Sequence, residues 1–292
     1  MASLEQIVQS TVDRLEEIPD SFIALVNKQN EVLWKELLKA LKSLESVNGV
    51  IQPTPANLAQ VEIIAEKMRQ VLAGGEYLEA VADFVGQFDS QAVLLNQVYK
   101  LQFDEFADKN LYKLVLDQSK KSALALFDIQ AVDRQWIEPL KNIINNNIIT
   151  QGSYNDMLGV LQDFALGSAE KDAALTRYAQ LYARDSFNIF NRNYSQIVAN
   201  DLDVQYFEYF GQVIKDTRPF CMERVGKTFS KAEIESWASL SWQGKNPNTD
   251  KSTIFTYCGG FNCLHVLIPR ADKAGKEKGL NTYNELPTKD KK

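Results

Sequence analysis

The sequence predicts a mainly α-helical protein: a multi-helix N-terminal body over residues 1–200, a small C-terminal α+β Cys/His cap over 201–270 and a flexible tail over 271–292. Three observations carry that reading. Apolar residues recur near the helical repeat of about 3.6 as far as Asn200. Residues 204–214 are then dense in aromatic and β-branched types, which favour a strand. Finally, all three cysteines and the only histidine of the chain fall within residues 216–269. No internal repeat of fixed period is present.

Leu4, Ile7, Val8, Leu15 and Ile18 recur at helical spacing, with Ser3 placed to cap the helix. Pro19-Asp20 is expected to break it, since proline lacks the amide donor and crowds the preceding turn. A second helix over about 22–47 turns Phe22, Val26, Leu33, Leu37, Leu41 and Leu44 inward, and Asn48-Gly49 ends it. Residues 50–55, with Pro53 and Pro55, read as a loop. The next helix opens near Pro55 and carries Leu58, Val61, Ile64, Met68 and Leu72 as far as Gly74-Gly75. Residues 77–88, 93–106, 111–127 and 132–148 read as four further helices, the last fraying at its asparagines. Ser153 and Asp156 have capping-box spacing ahead of Met157, Leu161 and Phe164. A long helix over about 170–198 bears Leu175, Tyr178, Tyr182, Ile189 and Tyr194.

In the cap, residues 204–214, 253–257 and 264–268 read as strands and 243–250 as a polar loop. Residues 230–240 read as a short helix, with Ser230 and Glu233 at capping-box spacing.

Composition excludes several classes. A formal net charge of −6 argues against broad DNA wrapping, which needs a basic surface. No apolar run approaches the roughly 20 residues of a membrane helix. The segment Met1-Ala2-Ser3-Leu4-Glu5-Gln6 has neither a basic stretch nor an apolar core, so no secretion signal is expected. An odd number of thiols argues against a disulfide framework, and hence for synthesis in cytosol with the thiols kept reduced.

Cys221, Cys258, Cys263 and His265 are therefore candidate metal ligands. Three thiols and one imidazole form a set that zinc favours in closed, tetrahedral, structural sites. Cys263 and His265, one residue apart, can point to one side of a strand. No Cys-x-x-Cys is present and Cys221 lies far from the others, but loop-closure entropy grows only slowly with length. The same residues also read as a small core of buried free thiols around a hydrogen-bonded histidine. Four protein ligands would leave no open coordination position, so no catalytic residue and no enzyme activity is expected. The competing enzymatic reading makes Cys221 or Cys263 a nucleophile with His265 as base. The single intervening residue makes Cys263 awkward, so Cys221 is the better nucleophile.

Four further features have structural readings. Asp216 and Arg218 are expected to form a structural ion pair or tie down a turn beside the extended Thr217-Arg218-Pro219, in preference to serving as active-site groups. Gly259-Gly260 makes a tight turn that lets Cys258 and Cys263 converge, with no helix start following it as a phosphate cradle requires. The aromatic run from Tyr206 to Phe210 lacks interleaved basic residues, so it reads as sheet core and not as a base-stacking platform. The Leu33–Trp34–Leu37 stripe could dock a partner helix.

The same segment resembles the C-terminal signature of the phage Mu protein F-like family of minor head proteins. The residues that carry the resemblance are Asp216, Thr217, Arg218, Pro219 and Cys221, then Gly226, Lys227 and Phe229, then Gly259, Gly260, Asn262, Cys263 and His265. Ala183-Arg184-Asp185, followed by Asn188 and Asn191, resembles the helix that precedes that signature. The match spans about the last third of the chain. The spacer before Thr217 is short, Leu264 stands where a basic residue is common, and Cys258 is not expected of the motif. The resemblance implies a virion protein of a tailed phage, present in few copies, made in host cytoplasm and lodged in the head interior or portal region. It implies a role in head morphogenesis, portal association and DNA packaging or ejection. The implied partners are the portal protein, major capsid or scaffold proteins, and packaged DNA beside the lysines from Lys273 onward, with no membrane. Two alternatives use the same module. A particle-carried nuclease or thiol hydrolase would need a second cluster of acid/base groups. A bacterial effector would carry a toxin domain after the signature, where this sequence has a short tail.

Overall fold

Helical spacing builds helices here, but longer ones than the breakers suggest. In the computed structural model, which describes residues 2–271, α1 runs unbroken over Leu4–Leu41 with Pro19 inside it. Leu15, Phe22, Ile23 and Val26 are buried on both sides of the proline. Burial of such side chains contributes about 1.5–3 kcal/mol each, which outweighs the roughly 3 kcal/mol an interior proline costs. The start of α1 is capped reciprocally: Gln6 N–H donates to Ser3 Oγ (3.2 Å) and Ser3 N–H to Gln6 Oε1 (2.8 Å).

Asn48-Gly49 is a hairpin turn, not a helix end. β1 (Ser46–Val47) pairs antiparallel with β2 (Val50–Ile51), so the expected loop at 50–55 begins as a strand. Asn48 and Gly49 have φ of 51° and 78°, the two positive angles that a tight hairpin turn requires. α2 (Pro55–Ala73) follows, capped by Thr54 Oγ1. The two helices expected over 77–88 and 93–106 are one, α3 (Glu76–Lys100), because Asp89-Ser90-Gln91-Ala92 contains no breaker. α4 covers Asn110–Phe127. The stretch expected as one helix over 132–148 divides into α5 (Ile129–Val132), a wider π-helical turn at Asp133–Ile137, and α6 (Glu138–Ile149). Pro139, which has no amide to donate, sits where the π turn returns to α6. α7 (Tyr154–Leu166) starts at Ser153 as expected, and α8 covers Ala174–Asp201.

Beyond α8 come β3 (Tyr206–Gly211), α9 (Pro219–Met222), β4 (Thr228–Ser230), α10 (Lys231–Ser236), α11 (Ile254–Tyr257) and β5 (His265–Arg270). The sheet has the order β4-β3-β5 and is antiparallel throughout. The capping box at Ser230 and Glu233 is present. Residues 253–257, expected as a strand, form the turn of α11 instead. Asp250 Oδ1 accepts from the Ser252 and Thr253 amides (2.8 and 2.9 Å) and starts a helical turn there. α9 and β4 are too short for periodicity to reveal. The fold is thus mainly helical, with a small C-terminal sheet region that bears the cysteines and the histidine. No helix of the described residues is long and apolar enough to cross a membrane. The lysines from Lys273 onward lie outside the described residues.

Secondary structure changes after Asp201, yet the compact units do not divide at residue 200. One unit comprises Ile18–Gly86 and Lys120–Arg184. Its core includes Phe22, Phe84 and Phe127 in mutual ring contact at 4.8–5.8 Å, and Asn30 donates to Thr176 Oγ1 within it (2.8 Å). Leu33 and Leu37 are fully buried, so their stripe is core and not a free docking face. The other unit comprises Met1–Glu17, Gln87–Ser119 and Asp185–Lys292, so the sheet shares it with segments of α1, α3, α4 and α8. There Gln91 Nε2 donates to Thr11 O (3.0 Å) and Asn191 Oδ1 (2.7 Å), and Tyr99 Oη donates to Ser195 O (2.6 Å).

An ion pair crosses the sheet between Arg270 and Glu208, with nitrogens 2.9 and 2.5 Å from Oε2 and both residues buried. Arg270→Met alone leaves a buried carboxylate without its partner and should lower stability by about 3–5 kcal/mol. The double variant Glu208→Leu/Arg270→Met should recover most of that loss. Urea unfolding of the parent and both variants measures the difference.

Candidate metal centre

Three short elements carry the candidate ligands inward. Arg218 is extended, Pro219 starts α9, and the single turn of that helix sets Cys221 in the interior with 2% of its surface exposed. α11 ends at Cys258, whose backbone has φ 51° and ψ −116°, a conformation that favours glycine. β5 opens with His265, paired with Gly211 at the end of β3. Between Cys258 and His265 the chain makes a glycine turn, with Gly260 N–H donating to Tyr257 O (2.8 Å) and Cys263 N–H to Gly260 O (3.2 Å).

Two guanidinium groups hold this irregular backbone. Arg192, from α8, is buried and donates to the carbonyls of Cys263 (2.5 Å), His265 (2.9 Å) and Thr256 (3.2 Å). Arg218 donates to the carbonyls of Phe261 (2.6 Å) and Gly259 (3.4 Å). This agrees with the structural reading of Arg218. Gly259 O also accepts from Trp242 Nε1 (2.9 Å).

Cys221, Cys263 and His265 are all buried, and one donor atom from each lies within 4.8 Å of the others. The sulfurs of Cys221 and Cys263 are 4.0 Å apart, and Cys263 Sγ is 3.7 Å from His265 Nδ1. Tetrahedral ligands on bonds of about 2.3 Å stand about 3.8 Å apart, so these separations suit a single ion. Cys258 is buried too and its thiol reaches Cys263 and Tyr209, but it is not in the set whose donors lie within 4.8 Å of one another. Tyr209, from the middle of β3, has its hydroxyl 3.3 Å from Cys221 Sγ and 3.8 Å from Cys263 Sγ, and its ring stacks on His265 at 5.3 Å.

Electrostatics favour the thiolate at Cys263 over those of its neighbours. Hydrogen bonds from Cys221 and then Cys258 hold the Cys263 thiol well below its ordinary range, against the effect of burial, and Arg192 adds to the same direction. The Cys221 thiol is pushed up by its hydrogen bond to Cys263 and by burial, and Cys258 is pushed up chiefly by burial.

The residues fit a metal ion on three grounds. The donors are two soft thiols and an imidazole, a set suited to zinc-like ions. His265 Nε2 is buried without a partner among the described residues. Gly259 leaves a cradle: a Cβ there would lie 2.5 Å from Cys221 Sγ, 2.7 Å from Cys263 Sγ and 3.0 Å from Tyr209 Oη. A cavity lined by Asp185, Arg192, Asn246, Gly260 and Phe261 beside the turn has about 20 Å³, room for a water molecule.

Comparison with protein-family models, with curated proteins and with solved structures gives no match. The four candidate residues of the sequence thus meet in one buried region, three of them as a metal-competent set. Arg192 and Tyr209 were not indicated by the sequence. An arginine in a long helix and a tyrosine in an aromatic run carry no cue of their own, although both lie close to residues of the signature, Asn191 and Lys227.

Gly259→Ala drives a methyl group into the donor cluster. It should destabilise the unit by about 1–3 kcal/mol through overpacking and expose the thiols. Reaction of the native protein with a chromogenic disulfide reagent checks this, with slow reaction expected in the parent and fast reaction in the variant.

Proposed function

We propose that this chain is a structural, non-enzymatic minor head protein of a tailed phage, whose cap is held by a zinc ion. One observation carries the reading: the separated blocks of the signature it resembles supply the buried cluster or bond to the backbone that frames it. Cys221 comes from the first block, Cys263 and His265 from the last. Arg218 of the first block grips the carbonyls of Gly259 and Phe261 in the last. The middle block frames Tyr209: Gly226 N–H donates to Tyr209 O (2.8 Å) and Tyr209 N–H to Lys227 O (2.9 Å). From the preceding helix, Asp185 accepts the backbone N–H of Asn262. Residues spread over some eighty positions thus serve one local structure, which supports reading them as a single functional motif.

Cys221, Cys263 and His265 would hold the zinc, with Cys258, whose thiol bonds to Cys263, as the candidate for the fourth position. A closed set of this kind gives the ion a structural use: it links α9, the glycine turn and β5 in a region with a small core. Thiolate and imidazole ligation contributes about 10 kcal/mol or more in small zinc domains. In the particle, the helical surface would meet the portal protein, and the protein would act in head assembly and in DNA packaging or ejection.

The role is tested in particles. The protein should be recovered in precursor or mature heads and should co-purify with the portal; its confinement to cytosol without portal binding would overturn the role. The metal is tested separately. Chain purified without chelator should contain stoichiometric zinc, and Cys263→Ser should lose it. Metal binding requires deprotonated thiols and a neutral imidazole, so zinc affinity should fall as pH is lowered. Titration against a chromophoric chelator at several pH values measures that slope.

A further inference from the structure

Among the described residues, Tyr209 is a side chain that meets all four candidate ligands. Its hydroxyl bonds to the sulfurs of Cys221 (3.3 Å) and Cys263 (3.8 Å), its neighbours include Cys258, and its ring lies on the imidazole of His265 with planes 20° apart. Its surroundings fix it. The residue is fully buried, its backbone is hydrogen-bonded to Gly226 and Lys227 on one side, and it faces Leu267 of β5 on the other. Phe220 and Trp237 pack edge-on against its ring at 6.5 and 5.9 Å.

Packing alone gives no reason for the hydroxyl. Phenylalanine would fill this core equally well, and a fully buried hydroxyl is unfavourable unless well satisfied. The hydroxyl contacts found here are to sulfur. A neutral thiol is a weak acceptor, whereas a thiolate takes a charge-assisted hydrogen bond of roughly twice the strength. The hydroxyl is therefore matched to charged sulfurs, the form they take as metal ligands. A Cβ built on Gly259 would touch the same oxygen and both sulfurs, so these three atoms converge on one α-carbon.

We propose that Tyr209 is the positioning residue of this metal centre, donating its one phenolic O–H to the ligand sulfur of Cys221, lying in contact with that of Cys263 and backing the imidazole of His265. The inference rests on reading the cluster as a metal site. Outer partners of this kind orient the ligands and hold their charge, and their removal lowers metal affinity by about 10–100-fold.

The test compares the full-length parent with Tyr209→Phe, each loaded with zinc or with cobalt(II). Zinc affinity is read by competition with a chromophoric chelator, and ligand electronics by the sulfur-to-cobalt charge-transfer band. The expected result is a 10–100-fold loss of zinc affinity in Tyr209→Phe together with a shifted band. Unfolding of both proteins in chelator measures the packing contribution alone. Should Tyr209→Phe fail to fold, difluorotyrosine at position 209 keeps the shape and strengthens the donor, and it should shift the band. Stoichiometric metal in the parent with unchanged affinity and band in the altered protein overturns this inference and leaves the metal reading standing. No metal in the parent overturns both.

Discussion

The Arg192 guanidinium is the contact on which the candidate site depends. The backbone between α11 and β5 is irregular, and carbonyls of this stretch and its flanks accept from arginine side chains. Buried carbonyls need donors. Arg192 supplies them to Thr256, Cys263 and His265 from a rigid position in the middle of α8. Hydrogen bonds from a charged group contribute about 1.5–3 kcal/mol each. The guanidinium is also a buried charge that needs a counter-charge, and the field it exerts favours a thiolate at Cys263. One side chain thus supports the backbone and adds to ligand electrostatics that the hydrogen bonds from Cys221 and Cys258 dominate. Arg218 repeats the backbone part on the Gly259–Phe261 carbonyls without being part of the sulfur cluster.

Much of the fold was legible in the sequence because helical burial leaves a period, and that period is present from α1 to α8. The errors occurred where a local signal met a longer-range one. Pro19 is a true helix breaker by propensity, but the buried stripe on both sides of it prevails. Asn48-Gly49 suits both a helix end and a hairpin turn, and the choice is made by the pairing of Val47 with Val50. Residues 253–257 have strand-like composition, yet Asp250 fixes a helical turn ahead of them. Composition describes each residue singly, whereas these outcomes depend on partners.

The candidate site was legible for the opposite reason. Cysteine and histidine are rare here, so their crowding into one segment stands out without any structural knowledge. Their supports are common residue types. Arg192 reads as an ordinary helix residue and Tyr209 as an ordinary core aromatic, and only the geometry assigns them to the cluster. Part of the contribution of Gly259 was legible, since the Gly259-Gly260 turn lets Cys258 and Cys263 converge, but its direct contact with the sulfurs was not. Its use here is spatial: the absent side chain is where the sulfurs meet.

The unit that contains the sheet is assembled from segments far apart along the chain, Met1–Glu17 with Gln87–Ser119 and Asp185–Lys292. Gln91 bridges Thr11 and Asn191, and Arg192 waits for Cys263 and His265. Contacts of such sequence separation form slowly, since loops must close before they are rewarded. On a ribosome, the opening turns of α1 emerge early and can meet α3, but the unit they belong to is complete only after the final strand is made. Ile18–Gly86 and Lys120–Arg184 are complete sooner. Synthesis therefore imposes a sequence of events on this molecule: a helical unit that can close first, and a sulfur-bearing unit that closes last.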